Sequence, residues 1–379
     1  MSPELVLADD PACNAACRAC HYKAIDYPSQ LDRKRGWARE CLGRWNDVLQ
    51  DIRPAPEKER LGYRSKTWML GSLRDGELSF GMTRSVRRQG RWTKEFVSQD
   101  GCPLHVPPLR GIIEGLRAIL PRQAPDFVRS SLVGVWTASP HLVIVSRHPD
   151  IGELARVDWS EILLPPFAQI WFHCNPQVGW NVFGRRDILP LAGAPAGTVL
   201  PIRAFRQVAQ TLLIEARQAA VAFLLQGAPA LVLDLYCGAG ELGALLGPEV
   251  GWLGIELGRD AVLWAQASRP PGRALHAAFV GKVEQRLRDP SVLGLIEQPY
   301  AVCLNPPRSG LGEEARAALL ALAAQRPPKG VAYLSCSASR LAADLKALEE
   351  GGFRVTSLQP FDFFPQTEHF EILALLSAP

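Results

Sequence analysis

The stretch from Leu231 to Val262 limits the fold of this chain most. A strand, a glycine turn, a helix-forming run and a second strand follow one another there without spare residues. Leu231-Val232-Leu233-Asp234-Leu235 is a continuous apolar run broken by one acid, as expected of a parallel strand buried on both faces. In an open α/β sheet, ligands sit at the carboxyl ends of such strands. Gly238-Ala239-Gly240 would let backbone amides approach a ligand, and Glu241 to Leu246 supplies helix formers. The next strand, Trp252 to Glu256, ends in a carboxylate 18 residues after Gly238. That is near the spacing of about 20 residues at which an acid meets a ribose hydroxyl. Gly238, Gly240 and Gly243 also satisfy G-x-G-x-x-G, so the motif leaves nicotinamide and other adenosine-containing cofactors open.

Three later segments bring polar groups to the same edge. Tyr300 to Leu304 reads as a buried strand running into Asn305-Pro306-Pro307-Arg308, where a stiff turn would hold Asn305. Gly330 to Ser335 delivers Cys336, followed by Ser337-Ala338-Ser339, and Phe370 to Leu376 starts beside Glu371. A free cysteine is most often a small buried hydrophobe, but one at a strand's carboxyl end is also placed to act as a nucleophile.

The 379 residues suffice for two or three domains, and 47% apolar with 21% charged residues is ordinary for a globular chain. No long uncharged apolar run and no signal peptide is visible, so a soluble cytoplasmic protein without a membrane partner is expected. A net charge of +4 permits an anionic partner without requiring one. The nine cysteines are an odd count in a reducing compartment, which argues against a disulfide framework. Cys13, Cys17 and Cys20 form a C-x3-C-x2-C cluster that suits a metal, with Cys41 and Cys102 both open as a fourth ligand. Thiolates alone suit either an iron–sulfur cluster or zinc.

Gln30 to Leu49 has the apolar spacing of an amphipathic helix ended by Pro54 and Pro56. Residues 62–100 read as short strands joined by Asp75-Gly76 and Gln89-Gly90 turns. Arg64, Lys66, Arg84, Arg87, Arg88, Arg91 and Lys94 interleave there with Tyr63, Trp68, Phe80 and Trp92. Cations for phosphate and aromatic faces for unpaired bases make a single-stranded RNA surface, and an ordinary solvated sheet face fits equally. A helix over 109–120 and strands over 131–147 and 167–189 follow; an Ala/Gly/Pro-rich link then leads to a helix from about Phe205 to Gln226. The expected division is a cysteine-bearing segment at 1–60, a β-rich RNA-binding domain at 61–195 and an α/β catalytic domain at 196–379. The catalytic domain is expected to be Rossmann-like, with a mostly parallel seven-stranded sheet.

Along nearly its whole length the chain resembles the RNA 5-methyluridine methyltransferases, S-adenosylmethionine enzymes that methylate C5 of uridine. The resemblance runs through the N-terminal cysteines, Tyr63-Arg64-Ser65-Lys66, Asp234 to Gly240, Gly254-Ile255-Glu256, Asn305 to Arg308, Leu334-Ser335-Cys336 and His369-Phe370-Glu371. It implies Cys336 as nucleophile and Glu371 as base, with Gln207, Tyr236, Glu256 and Asn305 on cofactor-binding positions. The chain is most similar to the compact bacterial 23S rRNA members. That implies a [4Fe-4S] cluster rather than zinc on Cys13, Cys17, Cys20 and Cys102, leaving Cys41 out, and an RNA substrate; a monomer is expected. A tRNA uridine and a non-catalytic RNA-binding role are the alternative readings. Departures from the family pattern are Ser337 after the nucleophile, Glu241 after the glycine turn and Phe279-Val280-Gly281-Lys282 after the third strand.

Overall fold

The computed structural model describes residues 6–163, 165–175, 188–193, 210–296 and 299–378. It forms two compact units: Met1–Tyr27 with Glu57–Ile202, and Pro28–Pro56 with Arg203–Pro379.

The first unit is built on a seven-stranded sheet of β1 (Thr67–Arg74), β2 (Glu77–Arg88), β3 (Arg91–Ser98), β4 (Leu132–Ala138), β5 (His141–Ser146), β6 (Gln169–Cys174) and β7 (Ile188–Ala192), in the order β3-β2-β1-β4-β5-β6-β7. The Asp75-Gly76 and Gln89-Gly90 turns close two-residue hairpins, with Arg74 opposite Glu77 and Arg88 opposite Arg91. All four turn residues have positive φ, the backbone that matches the twist of antiparallel strands. The helix Pro107–Gln123 buries Leu109, Ile112, Ile113, Leu116, Ile119 and Leu120 at helical spacing. That stripe packs in one core with Met69, Phe80, Val135, Ile144 and Phe172 of the strands. Each such side chain contributes about 1.5–3 kcal/mol on leaving water.

The second unit carries β8 (Leu231–Leu235), β9 (Gly251–Glu256), β10 (His276–Val280), β11 (Tyr300–Leu304), β12 (Val331–Ser335), β13 (Arg354–Phe361) and β14 (Glu371–Ser377). Their order is β10-β9-β8-β11-β12-β14-β13. The five strands from β10 to β12 are parallel, and β14 is antiparallel to both β12 and β13, so the sheet is mixed. Every residue of β8, β11 and β12 is buried, the pattern of strands covered on both faces. The chain turns from β8 toward β9 and β10 on one side, then returns to β11 and β12 on the other. That reversal makes the carboxyl ends of β8 and β11 the topological switch point, the place where open α/β sheets bind ligands.

Two expectations differ from the structure. Glu241 to Leu246 forms turns and a single 3-10 turn, Gly243–Leu245, rather than a helix. Gly238, Gly240 and Gly243, followed by Gly247-Pro248, leave too short a run to nucleate one. Residues 28–56, grouped by sequence with the cysteines, belong to the second unit. The helix Tyr27–Leu42 turns Leu31, Ala38 and Leu42 inward, and residues 48–53 then run parallel to β13 along the sheet edge. Backbone bonds fix that edge: Leu358 donates to the Val48 carbonyl at 2.9 Å and Arg53 to the Pro360 carbonyl at 2.8 Å. Among the described residues no helix is long and apolar enough to cross a membrane.

Candidate active site and cysteine cavity

The candidate active site is assembled by the register of the second sheet. Leu235 pairs with Ile255 on one side and Leu304 on the other, so Tyr236, Glu256 and Asn305 leave the sheet at one edge. Ser335 pairs with Ile372 in the antiparallel β12/β14 ladder. Cys336 is the residue just beyond that last pair, and Glu371, the first residue of β14, lies near enough for its charge to act on the Cys336 thiol.

The Glu256 carboxylate spans the glycine turn: Oε2 accepts from the Gly238 amide at 3.2 Å and Oε1 from the Gly258 amide at 2.7 Å. Gly238 has φ +55 and Gly240 φ +76, which any larger residue adopts only with strain. At Gly240 the absent Cβ also makes room for packing, since it would lie 2.9 Å from Ala265 and 3.1 Å from the Trp252 ring. That glycine faces the interior rather than a ligand. Tyr236 holds a left-handed backbone, φ +62, and its hydroxyl donates to the Leu311 carbonyl at 3.3 Å. A non-glycine residue in that region stores strain, a feature that concentrates at functional sites. Gln207 lies outside the described residues.

Behind the turn, Trp252 Nε1 donates to buried Asp234 at 3.0 Å, and burial pushes the Asp234 carboxyl up to about 7. Trp252 also stacks on His276 with ring centres 4.6 Å apart. The buried guanidinium of Arg273 donates to the carbonyls of Gly243 at 2.8 Å and Leu246 at 2.6 Å. It therefore fixes the turn where a helix was expected, a role with no local sequence signal. Glu241 pairs with Arg217 at 2.5 Å, so the departure at that position is met by a cation from the preceding helix, Gln210–Leu225.

Cys336 is half-buried, and Glu371 is only 2% exposed. Burial is the main cause raising the Cys336 thiol above its ordinary value, and the Glu371 charge adds to it. Arg308 opposes both by its charge and a hydrogen bond to the thiol. Sequence reasoning quoted Arg308 as part of a motif and gave it no role. Ser337, the residue after the cysteine, caps the helix Ala338–Glu350 by accepting from the Arg340 amide.

In the first unit, Cys13, Cys17, Cys20 and Cys102 line one cavity of about 280 Å³, together with Lys23, Arg64 and Gln99. Cys41 does not line it. Among the described residues no group of three or more His, Cys, Asp or Glu converges as metal ligands. Burial raises the thiols of Cys13 and Cys102 and pushes that of Cys20 up to about 12. Backbone amides of Leu104 and His105 point at the Cys102 sulfur. Lys23 Nζ donates to the carbonyls of Ala15 at 3.0 Å and Cys17 at 2.8 Å, shaping the loop around the cavity.

The basic and aromatic set divides by environment. Arg64 lines the cysteine cavity, and Lys66 lies 6.0 Å from the centre of the Trp136 ring. Arg84 pairs with Glu95 at 2.7 Å and donates to the Ala16 carbonyl at 3.0 Å, tying the cysteine loop to the sheet. Arg88 also reaches Glu95, at 3.2 Å. Arg87, Arg91 and Trp92 are exposed at the β2–β3 hairpin, with Trp92 72% exposed.

No family model matches the chain. Over 97% of its length it is 29% identical to an uncharacterized RNA methyltransferase of Synechocystis, covering 82% of that protein. Over 95% of its length it is 26% identical to the 23S rRNA (uracil(747)-C(5))-methyltransferase of Yersinia pestis, covering 96% of it. Among solved structures it matches the Pyrococcus abyssi tRNA (uracil-54, C5)-methyltransferase complexed with S-adenosyl-L-homocysteine. The TM-score is 0.66 at 17% identity, over 93% of this chain and 84% of that one. Along nearly its whole length the chain is thus similar in sequence to proteins named as RNA methyltransferases, and it shares the fold of a tRNA uracil-C5 methyltransferase.

Proposed function

We propose that the protein transfers the methyl group of S-adenosylmethionine to C5 of a uridine in RNA, with 23S rRNA as the substrate. The observation that carries this reading is the nearness of Cys336 and Glu371 at the end of the β12/β14 ladder, in the sheet whose strand ends also hold Glu256, Asn305 and the glycine turn. A relative that the chain covers almost end to end at 26% identity is a 23S rRNA enzyme, which favours that RNA over tRNA.

The residues at the edge fit the cofactor. The Glu256 carboxylate would accept from the ribose hydroxyls, and Leu257, 65% exposed beside it, offers an apolar face for adenine. Tyr236, Gly238, Asn305 and Gln207 complete the proposed contacts, and Gly240 would shape the turn from its packed side. When bound, S-adenosylmethionine supplies an electrophilic methyl group. Uracil C5 is a weak carbon nucleophile, so the chain must activate it. The Cys336 thiolate adds to C6, charge moves toward O4, and C5 becomes enolate-like and able to take the methyl group. Covalent addition thereby divides one difficult step into easier ones. The Glu371 carboxylate then removes the C5 proton, the C5–C6 double bond re-forms and the thiolate leaves.

For the four cysteines the reading is a [4Fe-4S] cluster, as the family resemblance implies. They line one cavity with Arg64 and Lys23, cations that suit a thiolate-bound group carrying negative charge. Cys13, Cys17, Cys20 and Cys102 would hold it, and its contribution would be structural. The exposed Arg87, Arg91 and Trp92 are the part of the basic set best placed to meet phosphate and an unstacked base. Arg88, exposed at the same hairpin and paired with Glu95, would join them, and Arg64, Lys66 and Arg84 would support that surface.

Two expected results follow from the geometry. Glu256→Ala should weaken adenosylmethionine binding about ten- to a hundredfold in calorimetry, since a hydrogen bond to a charged acceptor is worth about 1.5–3 kcal/mol. An unchanged dissociation constant would place the ribose elsewhere. The reactive form of Cys336 is the thiolate, and its thiol is held above its ordinary value. The single-turnover rate should therefore keep rising with pH beyond the range in which an ordinary cysteine has ionised. Arg308→Met removes the group that favours the thiolate, so that rising limb should move to still higher pH. A limb that stays in place would separate Arg308 from the thiol's ionisation.

The reading is tested by incubating the protein with labelled adenosylmethionine and total RNA from a strain lacking its gene, then digesting the RNA to nucleosides. Labelled 5-methyluridine, carried by 23S rRNA, is the expected product. Label on another base, or none, would overturn the reading, and label confined to tRNA would overturn the choice of RNA.

A further inference from the structure

The helix Tyr27–Leu42 carries two polar side chains on its buried face, Gln30 at 1% and Lys34 at 0% exposure. Both are aimed at the loop between β13 and β14. Lys34 Nζ meets the Asp362 carboxylate at 2.5 Å and donates to the Phe364 carbonyl at 3.1 Å. Gln30 Nε2 donates to Gln366 Oε1 at 2.9 Å, while the Gln366 amide donates to Gln30 Oε1 at 2.8 Å. Gln366 holds a left-handed backbone, φ +69, which a glutamine adopts only when its surroundings impose it. From these anchors the loop is locked residue by residue. Thr367 Oγ1 donates to the Phe364 carbonyl at 2.8 Å, the His369 amide donates to Thr367 Oγ1 at 3.3 Å, and His369 meets the Phe364 ring edge-on. The next strand begins two residues later, at Glu371.

A fully buried ion pair is a weak device for stability, because desolvation of both charges offsets most of their attraction. Its consequence here is geometric. Asp362, Phe364 and Gln366 are fixed to a helix about 330 residues away in sequence, and the fixed loop delivers the buried carboxylate of Glu371 near Cys336. We infer that Gln30 and Lys34 are positioning residues for proton removal: they set the reach of Glu371 to the C5 proton without touching the substrate. The inference rests on the proposed role of Glu371 as base.

A misplacement of about 1 Å at a reacting group costs on the order of a hundredfold in rate. Loosening the loop should leave thiolate addition and methyl transfer nearly intact and slow the later step. Gln30→Met keeps the side-chain length and removes both hydrogen bonds to Gln366. The double variant Lys34→Met with Asp362→Leu removes the ion pair without leaving a buried charge. Each is mixed with labelled adenosylmethionine and total RNA from the strain lacking the gene. Label is then divided between free RNA and a denaturant-resistant protein–RNA band, with Glu371→Gln run in parallel. The inference predicts a methylation burst close to the unsubstituted protein's, release slowed about ten- to a hundredfold, label building up in the protein–RNA band, and unchanged cofactor affinity. Burst and release falling together, or neither changing, would overturn it. Loss of the folded state in both variants would do the same, by making the contacts purely structural. If Glu371→Gln itself gives no band, the reading of the base fails rather than the positioning.

Discussion

Cys336→Ala is expected to abolish methyl transfer to RNA while adenosylmethionine still binds with near-normal affinity. The thiol serves the uracil ring and not the cofactor, and every turnover passes through its addition to C6. Glu371→Gln is expected to act later. General-base removal contributes about 10²–10⁴-fold, so the amide variant should lose that much turnover and retain the methylated adduct. The two substitutions thus separate by what accumulates: free RNA in the first case and a covalent complex in the second. Retained methylation by Cys336→Ala would remove the thiol from the mechanism. Absence of a complex with Glu371→Gln, although RNA still binds, would assign the proton to another group.

The second large effect concerns the cysteine cavity. Anaerobically purified protein should be brown, with broad absorption near about 400 nm and iron in excess of zinc, as thiolate-bound iron–sulfur clusters are. Cys102 would close a loop of roughly 90 residues back to Cys13, and a link across a loop that long removes several kcal/mol of chain entropy by the reasoning used for disulfides. Replacing Cys17 and Cys20 by serine should therefore expose the first unit to limited proteolysis and weaken RNA binding, while the second unit keeps its cofactor. The latter has its own mixed sheet and bears none of these cysteines. A colourless protein with stoichiometric zinc would refute the iron assignment. One with no metal and an undisturbed N-terminal segment would refute the site.

The features that could be read from the sequence are those with local causes. Asp75-Gly76 and Gln89-Gly90 fixed two hairpins because each supplies two residues able to hold positive φ. The apolar runs at β8, β9, β11 and β12 marked buried strands, and the polar residue ending each run marked where the strand leaves the sheet at its carboxyl edge. Cys102 was one of two candidates with Cys41, and only the family resemblance chose between them, because the approach of Cys102 to residues 13–20 depends on the turn after β3. What stayed hidden depends on long-range contacts. No periodicity tells that Lys34 meets Asp362, that residues 48–53 extend the edge beside β13, or that Arg273 holds the carbonyls at 243–247. The helix expected after the glycine turn failed for a local reason that could have been weighed: three glycines and a Gly-Pro pair within eleven residues. Arg308 was visible in sequence, but its effect on Cys336 follows from the side-chain contact alone.

The central claim is tested most directly by mass spectrometry of the complex trapped with Glu371→Gln, after digestion by protease and ribonuclease. The account predicts one modified peptide, containing Cys336, that carries a uridine nucleotide plus one methyl group. A uridine without the methyl group, a different cysteine, or a methylated base with no link to protein would contradict it.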